Sequence, residues 1–288
     1  MERALLDRTL AEYNRHFVSW WRGIFDAYRG GSGDRLWLAG PSSYVFSLSG
    51  VRFAVDLQIR RECDLEKVAP TLAKDLSGLS FILITHQHDD HFCIPLLQRL
   101  RDTRVRVYMP EGIRADLVQA TGLRQENIVY LKSGDVVREG DVTVRAFTSP
   151  HLGAGENQSL FPELGYLIST SRGRVLLPAD VRDYSFTLYP DFGKVDLCLA
   201  HIWGGNDALD AGAYLPILRE CADFFARFCA NEYFFAHLYE IGRGDLYMWH
   251  DGHAALVGEW MKERLPDVRT AVPRIGASYA LFGKEGEE

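Results

Sequence analysis

Phe81-Ile82-Leu83-Ile84-Thr85-His86-Gln87-His88-Asp89-Asp90-His91 is the stretch on which the fold turns. Its first four residues form a continuous apolar run, as a strand buried on both faces does. The polar half then sets three histidines and two aspartates into the six positions 86–91. With 9 histidines in 288 residues, the pattern H-x-H-x-D-H arises by chance on the order of 10⁻³ times in such a chain. In extended backbone, residues i and i+2 point to the same side. His86 and His88 can therefore grip one metal ion from a strand end. Asp90 and His91 are expected to open the next helix and to face a second ion. Asp89 is expected to cap that helix, whose first turn tolerates Pro95.

Four donors do not complete two metal sites, so more are expected at the ends of other strands. Three residues stand in that setting. His151 closes Phe147-Thr148-Ser149-Pro150-His151, Asp180 closes Leu176-Leu177-Pro178-Ala179-Asp180, and His237 closes Phe234-Phe235-Ala236-His237. Imidazoles with a few carboxylates suit Zn²⁺, with Mn²⁺ and Fe²⁺ left open.

Upstream, Leu5, Leu6, Leu10, Tyr13, Phe17, Trp20, Trp21, Ile24, Phe25 and Tyr28 recur at steps of three and four and end at Gly30, Gly31 and Gly33. This predicts an amphipathic helix over 1–30 packed on a body spanning 31–288. Short strands are expected at Leu36–Ala39, Tyr44–Leu48, Val51–Asp56, Val105–Met109, Ile128–Leu131, Val142–Phe147, Leu164–Ser169, Val175–Leu177, Val195–Leu199 and Tyr233–Phe235. Helices are expected between them at Ile94–Arg101, Ile113–Ala120, Ala211–Cys229 and His253–Arg264, and Val268–Pro273 with Ser278–Phe282 looks like a closing pair. Strands with helices distributed among them make a mixed α/β chain. The order of elements leaves room for two similar halves.

Composition bounds the function. Hydrophobic residues are 47% and charged residues 25%, which rules out collagen, coiled coil and disorder. A net charge of −7 weighs against sequence-independent nucleic-acid binding, which depends on basic residues neutralising phosphates. No stretch reaches the ~18 apolar residues of a membrane span. The charged N-terminal residues do not read as a signal peptide. Five cysteines without a C-x-x-C pair favour a reducing, cytoplasmic setting. Association of identical chains is left open.

The quoted motifs resemble those of the metallo-β-lactamase superfamily, over roughly residues 35 to 282. Residues 86–91 match its H-x-H-x-D-H segment, and His151, Asp180 and His237 match its later His, bridging Asp and final His in order. The resemblance implies a four-layer αββα sandwich, two mixed β-sheets flanked by helices. It implies one metal held by His86, His88 and His151, a second by Asp90, His91 and His237, and Asp180 bridging them. Asp56 matches the early Asp that supports the site. Two ions ~3.5–4 Å apart can share a water, lower its pKa towards ~7 and clamp the attacked group. The activity implied is hydrolysis of a small ester, lactone or phosphoester by a metal-bridging hydroxide, with Asp90 aiming it and moving a proton to the leaving group. Within the superfamily the chain is similar to the ascorbate-6-phosphate lactonase-like branch, on Val195-Asp196-Leu197, Gly204-Gly205, Phe235-Ala236-His237 and Val272-Pro273…Gly276. The alternatives are a phosphodiesterase or nuclease on the same site, or an iron-dependent oxidoreductase.

Other residues fall on the same rim. His201, Trp203 and Asn206 follow the strand Val195–Leu199 and are candidate pocket walls, with Gly204-Gly205 letting backbone approach a substrate. Tyr239 could donate to an oxyanion, and Arg243 or Arg182 could hold a carboxylate or phosphate. His250 and His253 lack a strand-end setting and read as helix-start residues. His16 reads as a helix residue and Cys93 as packing.

Overall fold

The computed structural model describes residues 2–59, 62–152, 160–184, 186, 189–205, 210–240 and 248–283. The chain opens with α1 (Glu2–Gly30) and a meander of β1 (Arg35–Leu38), β2 (Tyr44–Leu48) and β3 (Val51–Val55). There follow α2 (Glu62–Ser77), β4 (Phe81–Leu83), α3 (Ile94–Leu97), β5 (Arg106–Pro110), α4 (Ala115–Thr121) and β6 (Ile128–Leu131). The second half begins with β7 (Val136–Glu139), β8 (Val142–Thr148), β9 (His151–Leu152), β10 (Leu160–Phe161), β11 (Leu164–Ser169) and β12 (Arg174–Leu177). It ends with β13 (Leu197–His201), α5 (Ala211–Ala226), β14 (Glu232–Ala236), α6 (Asp251–Lys262), β15 (Arg269–Ala271) and β16 (Ser278–Ala280).

Two seven-stranded sheets result, ordered β16-β1-β2-β3-β4-β5-β6 and β15-β14-β13-β12-β11-β8-β7. In the first, the pairs from β16 to β3 are antiparallel and those from β3 to β6 parallel. The second repeats this plan, antiparallel from β7 to β12 and parallel from β12 to β15. The two halves therefore share one architecture, a meander followed by crossover strands, with β16 returning to the first sheet.

Period-two alternation sorts side chains into layers. On β2, Tyr44, Phe46 and Leu48 face inward between the sheets, while Val45 faces the helices outside. Phe46, Phe53 and Phe81 stack across β2, β3 and β4 at 4.8 and 4.7 Å between centroids, inside the sandwich. The outer face of the first sheet is covered by α1 to α4, and that of the second by α5 and α6. The four layers of the αββα sandwich follow. Tyr13, Phe17, Trp21, Ile24, Phe25 and Tyr28 of α1 all join the first outer cluster.

Several expectations shift. α2 occupies a segment to which the sequence reading assigns no element, because Pro70 interrupts its apolar spacing. The helix after the histidine motif starts only at Ile94, with Cys93 as its N-cap and no side-chain cap, so Asp89 does not cap it and Asp90 and His91 lie in a turn before it. The segments near 268 and 282 do not pair with each other. β15 extends the second sheet beside β14 and β16 extends the first beside β1. Between them the chain turns at Gly276, at φ 86°, and crosses from one sheet to the other. No helix among the described residues is long and apolar enough to cross a membrane.

Because Trp21 is fully buried between Phe17 and Phe25, Trp21→Ala is expected to cost ~3–5 kcal/mol of stability, read from urea denaturation. A loss under ~1 kcal/mol would show that α1 is not integral to the core.

Candidate metal centre

The carboxyl ends of the parallel strands of both sheets meet at one place. From the first sheet, β3 ends at Asp56 and the loop after β4 carries positions 86–91. From the second, β12, β13 and β14 lead to Asp180, His201 and His237. Open α/β sheets place ligands at such ends.

The seven residues expected as ligands form two groups. The donor atoms of His86, His88 and His151 lie within 4.8 Å of one another, as do those of Asp90, His91, Asp180 and His237. In the first group, His86 Nε2 and His151 Nε2 stand 3.0 and 3.2 Å from His88 Nδ1. In the second, His237 Nε2 is 3.0 Å from Asp180 Oδ2 and 3.5 Å from Asp90 Oδ2. His91 Nε2 is 3.6 Å from Asp180 Oδ2 and 3.7 Å from Asp90 Oδ2. His91 Nε2 and His237 Nε2 are buried and face these carboxylates without a well-aligned hydrogen bond among the described residues. Donors bound to one ion at ~2.1 Å with angles of 90–109° lie about 3.0–3.4 Å apart. Both groups show spacings close to those of co-ligands around a common point, so the residues fit divalent metal ions.

The surrounding groups fix which nitrogen faces that point. His91 Nδ1 is 2.7 Å from Asp56 Oδ2, and Asp56 also accepts from Thr85 N at 2.7 Å and Thr85 Oγ1 at 2.6 Å. Thr85 Oγ1, having donated to Asp56, can accept from His86 Nδ1 at 3.0 Å. His151 Nδ1 donates to the Asp180 carbonyl at 2.8 Å and lies 3.1 Å from Glu163 Oε2. Each of these imidazoles thus keeps its Nε2 lone pair for the centre, the tautomer that a metal requires. Asp56 reaches its place through left-handed backbone, φ 48°, as do Ala179 at 66° and His237 at 63°. Such strain collects at functional sites. The Pro41-Ser42-Ser43 loop braces both sides: Pro41 O accepts from His237 N, Ser42 Oγ donates to Asp90 O, and Ser43 Oγ donates to Asp56 O.

Other candidates fall elsewhere. β13 runs on to His201, whose ring is fully buried and not a pocket wall. His201 Nδ1 donates to Asp180 Oδ1 at 2.7 Å, and its Nε2 accepts from Tyr44 OH at 2.8 Å. Gly204 serves packing, since a Cβ there would meet Leu218 and Trp249 at 2.8 and 2.9 Å. Tyr239 lines a cavity of about 810 Å³ beside α1, with Thr9, Tyr13, Trp20 and Pro41, and none of the seven donor residues lines it. Trp203 is half-buried under the Arg182 guanidinium, 4.6 Å from ring centroid to Cζ. His250 and His253 form a reciprocal cap at the start of α6. His16 is exposed on α1, and Cys93 is buried. Asn206 and Arg243 lie outside the described residues.

Sequence reading overlooked Thr85, Glu163 and Glu240. Glu163 is buried and accepts from Asp180 N at 2.6 Å, and Glu240 Oε1 lies 2.8 Å from His237 Nε2. A charged residue at the mouth of the apolar strand Leu164–Ser169 was the available signal for Glu163.

Electrostatics separate the two groups. Burial, followed by repulsion from Arg182, pulls His151 down to about 3, and burial likewise holds His86 and His88 below the ordinary 6.5. Burial also opposes charge on His91 and His237. Asp180 and its neighbours, Asp90 and Asp56 around His91 and Glu240 around His237, outweigh it and hold both well above 6.5. A metal ion takes a neutral imidazole, so binding at His91 and His237 must release protons that the first group does not carry. As pH falls from about 8 to 6, the second group is therefore expected to lose metal first. Elemental analysis after equilibration at each pH would check this, and parallel loss from both groups would contradict it. Asp56→Asn is expected to weaken the ion nearest His91 by ~10–100-fold, read by competition with a chromogenic chelator. Unchanged affinity would remove Asp56 from the site's support.

Comparison with known proteins agrees with this arrangement. Residues 56–238 match the family model for a beta-lactamase superfamily domain. The chain is 32% identical over 139 residues to a UPF0173 protein of Pyrococcus abyssi, covering 48% of this chain and 60% of that one. It is 27% identical over 154 residues to a 4-amino-L-phenylalanyl-[CmlP-peptidyl-carrier-protein] 3-hydroxylase of Streptomyces venezuelae, covering 50% and 29%. The chain thus spans less than two thirds of the length of either relative. Among solved structures, CmlA, a diiron beta-hydroxylase from Streptomyces venezuelae, superposes with TM-score 0.63 at 20% identity, over 87% of this chain and 55% of that one. The metallo-beta-lactamase fold protein YhfI of Bacillus subtilis does so with TM-score 0.59 at 16% identity, over 86% and 99%. With its sandwich, its strand-end histidines and aspartates, and a family match over most of its length, the chain belongs to the beta-lactamase superfamily.

Proposed function

We propose that the protein is a hydrolase that uses two divalent metal ions, zinc being favoured by the donors, to cleave a small ester, lactone or phosphoester. The observation that carries this reading is the pair of adjacent donor groups, one of three imidazoles and one in which the buried Nε2 atoms of His91 and His237 converge with Asp90 and Asp180. His86, His88 and His151 would hold one ion, Asp90, His91 and His237 the other, and Asp180 would stand between them. When bound, the ions would supply Lewis acidity and an ionised water at neutral pH. Asp90, buried beside His91 and His237, is placed to take up a proton and return it to the leaving group. His201 and Tyr44 keep Asp180 turned towards the centre. The net charge of −7 argues for a small-molecule substrate over a nucleic acid. Five free thiols suit a cytoplasmic setting.

A second reading, iron-dependent oxygenation, is favoured by the likeness to the diiron beta-hydroxylase. Elemental analysis of the purified protein is expected to find about two transition-metal ions per chain. Zinc-loaded protein is then expected to turn over at least one of a lactone, an ester and a phosphodiester. Turnover only with iron, dioxygen and a reductant would favour the second reading. Metal content near zero that added Zn²⁺, Mn²⁺ or Fe²⁺ cannot restore would overturn both.

A further inference from the structure

We propose that Arg182 is an anion-recognition residue of this centre, so that the substrate carries an oxyanion, a phosphoester or a carboxylate, beside the bond to be cleaved. The proposal rests on the hydrolytic reading of the site and names its substrate class.

Arg182 follows Asp180 by two residues and enters the centre from the loop after β12. Its backbone N donates to Pro150 O at 3.1 Å, next to His151. Its side chain is nine-tenths buried, at 10% exposure. Nη2 donates to Asp180 Oδ2 at 3.1 Å. The guanidinium carbon lies over Trp203, 4.6 Å from the ring centroid. Nη1 is buried and has no hydrogen-bond partner among the described residues.

A guanidinium presents a rigid fork of donors, and burying one of them without an acceptor is costly. If Arg182 served only to hold Asp180, the fork could engage the carboxylate with both arms. It does not do so here: Nη2 alone reaches the carboxylate, at Oδ2, while Oδ1 accepts from His201 Nδ1. One arm is therefore committed to Asp180, Trp203 backs the guanidinium, and the other arm is left for an acceptor from outside the chain. Its place is set by two contacts: Arg182 N donates to Pro150 O, the residue before His151, and Nη2 donates to Asp180 Oδ2. A phosphate or carboxylate oxygen on Nη1 would thus sit beside Asp180, at the edge of the two donor groups. Such charge-assisted contacts with planar oxyanions are those at which arginine outperforms lysine.

The test uses the metal-loaded full chain and three chromogenic probes: bis(p-nitrophenyl) phosphate, p-nitrophenyl hemisuccinate and neutral p-nitrophenyl acetate. In Arg182→Gln, kcat/KM for an anionic probe is expected to fall at least ~30-fold further than that for the acetate, as loss of a charged hydrogen bond to the anion implies. Arg182→Lys, which keeps the charge without the fork, is expected to recover part of the loss. Calorimetric binding of inorganic phosphate is expected to weaken at least ~10-fold in Arg182→Gln. Whichever anionic probe is lost selectively tells phosphate from carboxylate. Metal content is measured in each variant, and should Arg182→Gln lose metal, Arg182→Lys carries the comparison. Equal losses on neutral and anionic probes, or unchanged phosphate binding, would show that Arg182 only holds Asp180 and would overturn the proposal. If the wild-type protein binds phosphate through Arg182 yet hydrolyses nothing, anion recognition stands and the hydrolytic reading falls.

Discussion

A single buried carboxylate organises this molecule. Asp180 has no exposure, and leaving an ionised carboxylate unpaired there would be prohibitive. It is met by His201 Nδ1 at 2.7 Å, His237 Nε2 at 3.0 Å and Arg182 Nη2 at 3.1 Å, with His91 Nε2 at 3.6 Å. Burial alone would raise its pKa, but these cationic and donor neighbours, His237 foremost, hold it well below the ordinary range. Asp180, His201 and His237 come from the ends of three neighbouring parallel strands, and His91 from the opposite sheet. The charge is tolerable only because the two sheets are in register at this edge.

That dependence explains the bracing beyond the donors. Asp56 and Thr85 tie the histidine loop to the first sheet, Tyr44 reaches from the first sheet to His201 on the second, and Pro41 O receives His237 N. Tyr166 OH, on the second sheet, donates to Ile84 O on the first. The last three of these links cross the seam between the sheets. Second-sphere contacts of this kind set the orientation and basicity of metal-binding histidines.

The two donor groups are chemically unequal. One is three imidazoles that burial keeps neutral. The other mixes two imidazoles with Asp90 and Asp180, and Glu240 stands against His237. An oxygen-rich site beside a nitrogen-rich one suits ions of different hardness, and so both hydrolytic and iron-dependent chemistry can be built on one scaffold. The likenesses to a diiron beta-hydroxylase and to YhfI are likenesses of fold, and function resides in the site.

Much was legible in the sequence alone. The apolar run Phe81–Ile84 followed by His86, His88, Asp90 and His91 pointed to a strand, a loop and side chains that cluster, because alternation and spacing are local properties. His151, Asp180 and His237 were found by their places after apolar strands, and the stripe of α1 by its period. Tertiary structure decided what locality does not encode. It buried His201 behind Asp180 and moved Gly204 into the core. It sent β15 and β16 to different sheets, and it brought Thr85, Glu163, Glu240 and Tyr44 around the donors. Arg182 follows Asp180 by two residues, but its meaning depends on Trp203 and His201, which are separated from it in sequence and adjacent only once β12 and β13 pair. A donor's identity is written in its own neighbourhood. Its protonation, its orientation and the arm it leaves unsatisfied are fixed by residues that meet only when the two sheets close.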